Sequence, residues 1–283
     1  MIISVASGKG GTGKTTIATN LSASLGKNVK ILDCDVEEPN SHLFLNPKIE
    51  KTETIFTEVP EIDEDKCSYC NKCVEMCRYQ SIAIIGKTIL TFPELCHSCG
   101  GCMAVCPENA ITWKGREIGE TAIGKSGAIE FIHGKLRVGE AMSPPLIEKV
   151  RSYIDPDIIN IIDAPPGTSC PVIAAMKNTD FVLMVTEPTP FGLHDLKLGV
   201  EAVKLLNIPC GLVINRADIG NNDVRVYAEK ENLPILLELP FERKIAEVYS
   251  KGELIVEKIP EWKEKFLGLY RAIEKIVNKG QNK

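Results

Sequence analysis

Short apolar runs alternate with helical stripes along most of the chain. Residues 2–6 form one such run, and Ile17, Leu21 and Leu25 follow it at helical spacing. Further runs fall at 29–32, 158–163, 181–185, 210–214 and 235–237, with helical patterns at 193–206 and 224–232. Runs without polar interruption mark strands buried on both faces. Strand alternating with helix then predicts an α/β fold, a mostly parallel twisted sheet with right-handed crossovers and helices on both faces. Ser143-Pro144-Pro145 offers a helix start ahead of Leu146, Ile147 and Val150. Near the C-terminus Trp262, Phe266, Leu269, Ile273 and Ile276 keep helical spacing with lysines opposite. A helix covering the sheet is preferred there over one lying on a membrane, because this sheet needs both faces covered.

The pattern breaks after about residue 58. Pro60 and the acidic stretch 61–65 lead into Cys67, Cys70, Cys73 and Cys77, and the same spacing recurs as Cys96, Cys99, Cys102 and Cys106, a repeat of 29 residues. Each half carries a short β-like segment after its last cysteine, at 81–84 and 109–112. Beyond Trp113 the stretches 114–123, 127–133 and 135–140 are punctuated by glycine and predict two or three short strands with tight turns. Three segments follow: 1–58 and 114–283 as the two parts of one α/β domain, with 59–113 as a small α+β insert.

The first strand-to-helix junction carries the clearest chemistry. Gly8, Gly13, Lys14 and Thr15 fit the pattern G-x-x-x-x-G-K-[ST], in which backbone N–H groups and a helix N-terminus surround phosphates. Gly8, Lys9, Gly10, Gly11, Thr12, Gly13, Lys14, Thr15 and Thr16 are therefore expected to bind a nucleotide. Lys14 would reach the β and γ phosphates and the Thr15 hydroxyl would hold Mg²⁺. Asp33 and Asp35 follow the second strand at the rim where such sheets bind ligands, whereas Glu37 and Glu38 read as an acidic turn. Asp163 ends a buried run before Ala-Pro-Pro-Gly, as suits an aspartate bound to Mg²⁺ through water. Asn215 ends a later run; it is a candidate for reading the base edge, with a turn-forming Asn/Asp cluster as the rival.

Eleven cysteines in 283 residues, with no secretory pattern at the N-terminus, point to metal or redox chemistry rather than a disulfide framework. The ferredoxin-type run sends three thiolates to one [4Fe–4S] cluster and its fourth to the other. Cys67, Cys70, Cys73 and Cys106 are thus expected to hold one cluster, and Cys77, Cys96, Cys99 and Cys102 the other. A pair of zinc sites is the weaker alternative, because four-cysteine zinc needs no such continuation. The second run keeps Pro107 where the first has Arg78, whose charge is expected to raise the potential of a cluster beside it. Cys34 and Cys210 read as small apolar residues, His97 as an exposed loop histidine, and Cys170 as a buried thiol in preference to a functional one. The net charge of −5 argues against a broad nucleic-acid footprint, and no run approaches the roughly 18 apolar residues of a membrane span. A cytoplasmic protein without stable membrane insertion is expected.

With the glycine loop, Asp33, Asp35 and Asp163 assembled, the chain resembles the deviant Walker A ATPases, the group that includes MinD, ParA and the nitrogenase iron protein. Lys9, an extra lysine just after the first glycine, carries the resemblance, which extends over essentially the whole chain; the cysteine insert is similar to the ferredoxin domain inserted in one MinD-like type. The resemblance implies a P-loop NTPase fold and an ATP-dependent homodimer in which Lys9 acts on the partner's nucleotide and Lys14 in cis. It also implies that Asp35 positions the attacking water, that Asp33 and Asp163 lie near Mg²⁺, and that Asn215 and the turn at Pro240 and Phe241 flank adenine. Cys170 resembles a cluster-binding cysteine of the nitrogenase iron protein, though no second cysteine for such a bridge is evident. The implied cofactors are ATP, Mg²⁺ and two [4Fe–4S] clusters. The expected function is an ATPase, slow without its partner, that couples turnover to electron transfer to a redox or iron–sulfur partner protein. An ATP-dependent cluster assembly or carrier protein is the alternative, and a redox-sensing regulatory ATPase the third reading.

Overall fold

A computed structural model describes residues 1–281. Its strands, in chain order, are β1 (Ile2–Ala6), β2 (Val29–Asp33), β3 (Lys48–Ile62), β4 (Ile82–Ile85), β5 (Thr88–Thr91), β6 (Ile111–Ser126), β7 (Ile129–Leu136), β8 (Ile159–Asp163), β9 (Phe181–Thr186), β10 (Cys210–Asn215) and β11 (Ile235–Leu239). Nine of them form one sheet in the order β11-β10-β9-β1-β8-β2-β7-β6-β3, and β4 pairs with β5 in a separate hairpin. The sheet is parallel from β11 through β7; β6 and β3 join it antiparallel. Among the described residues no helix is long and apolar enough to cross a membrane.

The central strands are buried because successive side chains enter two different cores. Ile31, Ile161, Leu183 and Val213 pack on the face covered by the helices Lys14–Leu25 and Glu261–Gln281. Leu32, Ile162, Met184 and Leu212 pack on the other, against Pro144–Arg151, Cys170–Met176, Pro190–Leu205 and Asp223–Lys230. Trp262, Phe266, Leu269 and Ile273 are buried in the first core, so the C-terminal helix covers the sheet.

The region around the insert differs from the expected short strands. Residues 111–126 form one continuous strand, paired along its length with β3, and this two-strand ribbon runs through both expected domain boundaries. Gly127 does make the turn into β7, whereas Gly124 within the strand permits close packing instead: a Cβ on it would lie 2.3 Å from the Lys48 carbonyl oxygen.

Between Ile62 and Ile111 the chain forms a small unit containing the helices Lys72–Met76 and Gly101–Ala104 and the β4–β5 hairpin, around buried Cys73, Ile82 and Ile111. The sequence repeat is also a conformational one. Positive φ recurs at Tyr69 and Ser98, Asn71 and Gly100, and Gln80 and Asn109. Backbone-to-sulfur hydrogen bonds recur with it: Tyr69 N–H to Cys67 Sγ and Ser98 N–H to Cys96 Sγ, both 3.4 Å. Ser81 N–H to Cys77 Sγ (3.4 Å) and Ala110 N–H to Cys106 Sγ (3.3 Å) form the second matched pair.

Candidate nucleotide and cysteine sites

The loop after β1 is held in shape from two sides. Gly8 lies so close to the helix Pro190–Leu205 that a Cβ would come 2.1 Å from the Asp195 carbonyl oxygen. Gly13 caps the helix Lys14–Leu25 in a left-handed conformation (φ 96°) that favours glycine. Asn215, from the end of β10, donates its side-chain amide to the Thr12 carbonyl (2.9 Å) and accepts from the Arg216 N–H (3.0 Å). It therefore clamps the phosphate loop as well as lining the cavity beside it. Lys9 makes no hydrogen bond or ion pair through its ammonium group among the described residues.

A cavity of about 320 Å³ opens in front of this loop. Gly10, Gly11, Gly13, Lys14, Thr15 and Thr16 form one end, Asp35 and Glu38 one side, and Asn215, Pro240 and Phe241 the other. Sequence reasoning missed the apolar wall of Phe44, Ile245 and Tyr249, in which the Phe44 and Tyr249 rings lie 5.4 Å apart. It also missed Arg216, whose guanidinium sits 5.5 Å from the Phe241 ring and pairs with Glu187 at 3.0 Å.

The carboxylates gather behind Lys14. Asp33 and Asp163 are neighbours in the ladder between β2 and β8, and both are fully buried. Asp33 accepts the N–H groups of Asp35, Asn40 and Ser41 at 3.0–3.1 Å, which shapes the loop that carries Asp35. Asp163 accepts the Ser41 hydroxyl at 3.2 Å through one oxygen, and its other oxygen has no partner among the described residues. Ser41, another residue missed in the sequence, thus joins the two acids. Burial raises the Asp33 pKa, and Asp163 beside it raises it further; burial likewise raises that of Asp163, with Lys14 opposing. Asp35 is pushed up to about 7 by burial, again against the pull of Lys14. Buried oxygen donors with an orphaned atom, next to the Thr15 hydroxyl, form a donor set that fits a hard divalent cation such as Mg²⁺.

Cys67, Cys70, Cys73 and Cys106 line one small cavity together with Ile62, Ile84 and Ile111. The four thiols expected to share a cluster are thus assembled from both halves of the repeat, and their chemistry fits one. In the other set, Cys102 is raised by burial and feels Cys96 and Cys99 as neighbours. Burial pushes the Cys77 thiol up, but hydrogen bonds from the Ser81 hydroxyl and the backbone of Ser81, Tyr79 and Gln80 together outweigh it and leave the thiol lowered. Met76 packs on Gly101, which brings the two short helices together. Among the described residues no three His, Cys, Asp or Glu side chains converge on a single-ion site.

Cys34 is fully buried and its thiol is raised by burial, and Cys210 is half-buried. His97 is exposed and stacks on Tyr79 at 3.5 Å. Cys170, expected to be buried, is exposed. It occupies the first position of the helix Cys170–Met176, just beyond the Pro166 turn that lines the nucleotide cavity, and only later residues of that helix enter the core.

Comparison with known proteins places these features in context. The family model described as the CobQ/CobB/MinD/ParA nucleotide-binding domain matches residues 3–255. An uncharacterized protein of Methanocaldococcus jannaschii is 34% identical, covering 98% of this chain and 97% of that protein. An iron–sulfur cluster carrier protein of Aquifex aeolicus is 26% identical, covering 99% of this chain and 69% of that one. Among solved structures, the septum site-determining protein MinD of Pyrococcus horikoshii in complex with Mg-ADP superposes with a TM-score of 0.62 at 19% identity, covering 98% of this chain and 96% of that one.

Proposed function

Because this chain belongs to the CobQ/CobB/MinD/ParA nucleotide-binding family and is a P-loop ATPase of the MinD/ParA superfamily, we propose that it uses ATP to govern iron–sulfur clusters, releasing a cluster to an apoprotein. The observation that carries this reading is the presence in one chain of a phosphate-loop cavity and a second cavity lined by Cys67, Cys70, Cys73 and Cys106. The name of the A. aeolicus relative, a cluster carrier aligned over 99% of this chain, supports the direction.

In the ATPase step Lys14 neutralises the β and γ phosphates, and Asp35 orients the water that attacks the γ-phosphorus as ADP leaves. Mg²⁺ would be held by the Thr15 hydroxyl, with Asp33 and Asp163 behind it; it supplies charge neutralisation. Lys9, left free in the single chain, reaches the nucleotide of a second copy, and Asn215, Pro240 and Phe241 hold the base. Two resident [4Fe–4S] clusters are held by Cys67, Cys70, Cys73 and Cys106 and by Cys77, Cys96, Cys99 and Cys102. The cargo is a separate cluster at Cys170. One thiolate from each of two copies leaves half of a four-cysteine ligand set open, as suits a group that must depart.

Full cysteine ligation of the resident pair favours a second reading, ATP-gated electron transfer to a partner. Incubating the reduced, cluster-loaded protein with ATP, the apo form of a [4Fe–4S] protein and an oxidised electron acceptor separates the two. Iron should move to the apoprotein in an ATP-dependent way; iron that stays while electrons reach the acceptor overturns the carrier reading in favour of the second.

A further inference from the structure

Asp35 and Glu38 line the nucleotide cavity, and the residues between them are tied to a distant loop. The Val36 carbonyl accepts the Leu136 N–H at 2.8 Å, and Glu37 Oε1 accepts the Ser143 hydroxyl at 3.1 Å. Leu136 and Ser143 bound the loop 137–143, which is also fastened to β6 where the Arg137 N–H meets the Ile118 carbonyl at 2.9 Å. Inside this loop the Glu140 side chain is 0% exposed. It takes both terminal nitrogens of Arg116, itself only 10% exposed, and the Met142 N–H at 3.1 Å.

Arg116 stands on the ribbon opposite Thr57. The Thr57 hydroxyl lies 2.9 Å from that of Ser98, whose N–H donates to Cys96 Sγ at 3.4 Å. Arg116 Nε is buried and has no partner among the described residues. The repeat does not duplicate this tether: Tyr69 stands where Ser98 does and makes no side-chain hydrogen bond among the described residues.

We propose that the Arg116–Glu140 pair and the loop 137–143 couple nucleotide occupancy to the second cysteine set, so that the nucleotide sets the reduction potential of the cluster at Cys77, Cys96, Cys99 and Cys102 and leaves the other unchanged. The inference rests on the two-cluster reading above. A cationic guanidinium near a cluster favours its reduced, more negative state, and Glu140 offsets that field according to how closely it holds Arg116. A nucleotide that draws in Asp35 and Glu38 pulls on residues 136 and 143 through Val36 and Glu37, and the pair shifts with them.

The test starts from anaerobic protein assayed for iron and sulfide. It is titrated with dithionite as the one-electron reductant, followed by electron paramagnetic resonance, with and without Mg²⁺ and a non-hydrolysable ATP analogue. Cys106→Ser assigns the signals by disrupting the first cluster. The analogue should change the reduction equilibrium of the second cluster tenfold or more, about 59 mV for one electron, and leave the first in place. Glu140→Gln and the double variant Arg116→Gln/Glu140→Gln should lose the shift, and the exposed-charge control Lys114→Gln should keep it. Loaded protein in which the shift is missing, or survives in both variants, overturns the coupling. Protein lacking iron overturns the two-cluster reading instead; hydrogen exchange at residues 96–102 then decides the coupling, which falls if the analogue leaves that exchange unchanged.

Discussion

The nucleotide end and the cysteine end of this molecule achieve order by different means. Around the phosphate loop, buried strands, two cores and a clamp from Asn215 hold the site in shape with protein groups alone. The cysteine unit has a core of only Cys73, Ile82 and Ile111 and relies on backbone-to-sulfur hydrogen bonds and repeated left-handed residues. A unit that small does not bury enough apolar surface to fold strongly by itself, and bound metal ordinarily supplies the remainder. The two ends therefore differ in what they owe to a ligand: the nucleotide cavity is finished by protein groups alone, whereas on the proposed reading a cluster would complete the fold of the cysteine unit.

The sharpest way to break the contrast is at Lys14. Lys14→Ala should lower phosphate release by about 10²–10³ or more, since it removes the charge that meets the γ-phosphate, while iron content stays at the wild-type value. Loss of iron in that variant would mean that the cysteine end needs the nucleotide end in order to hold its metal, against the contrast drawn above. Next in size is Cys106→Ser, which should reduce iron from about eight to about four atoms per chain. Limited proteolysis should then cut within 63–110 and spare the ATPase body, and cleavage throughout would count against the contrast.

A smaller effect follows from the acids behind Lys14. Burial raises Asp35 to about 7 from its usual 3.8, and Asp33 and Asp163 move the same way. The folded protein thus binds more protons than the unfolded chain in this range, and stability falls as these groups ionise. His133, lowered to about 4 by burial, works in the opposite sense but is spent above its usual 6.5. The melting temperature of Mg²⁺-free protein should therefore fall from pH 6.5 to about 8, and Mg²⁺ should reduce the fall; a flat profile in both conditions would remove the electrostatic account. Smallest of all, Phe241→Ala loses a ring beneath Arg216 at the cavity rim, and KM for ATP should rise by about 1 kcal/mol, several-fold, with kcat little changed.

The nucleotide end was also the more legible one. Strands such as β9, buried at every position, read as uninterrupted apolar runs, and the phosphate loop announces itself by glycine and lysine spacing. Cys67, Cys70, Cys73 and Cys106, grouped in the sequence from both halves of the repeat, line one shared cavity. What stayed hidden depends on distant partners. Lys48–Ile62 is a largely exposed edge strand of Thr, Glu and Lys with only scattered apolar residues, and its partner lies beyond the whole insert. Phe44 and Tyr249 meet only because the fold brings the helices that carry them together. Ser41 does have a local signal, a hydroxyl at the start of a short helix after Pro39-Asn40, but its bond to Asp163 crosses the sheet order. Cys170 misled because the apolar residues after it suggest burial, while the first position of its helix faces outward.

The pairing of Ile62 with Ile111 at the tip of the ribbon makes the cysteine unit exchangeable. The chain leaves and re-enters one antiparallel ladder at directly opposed residues, which is also how a hairpin is closed. Replacing 63–110 by a two-residue Asn-Gly turn asks nothing new of the neighbouring backbone. The ATPase can thus be treated as a chassis and the ribbon as its socket, open to any small module whose ends lie one strand spacing apart.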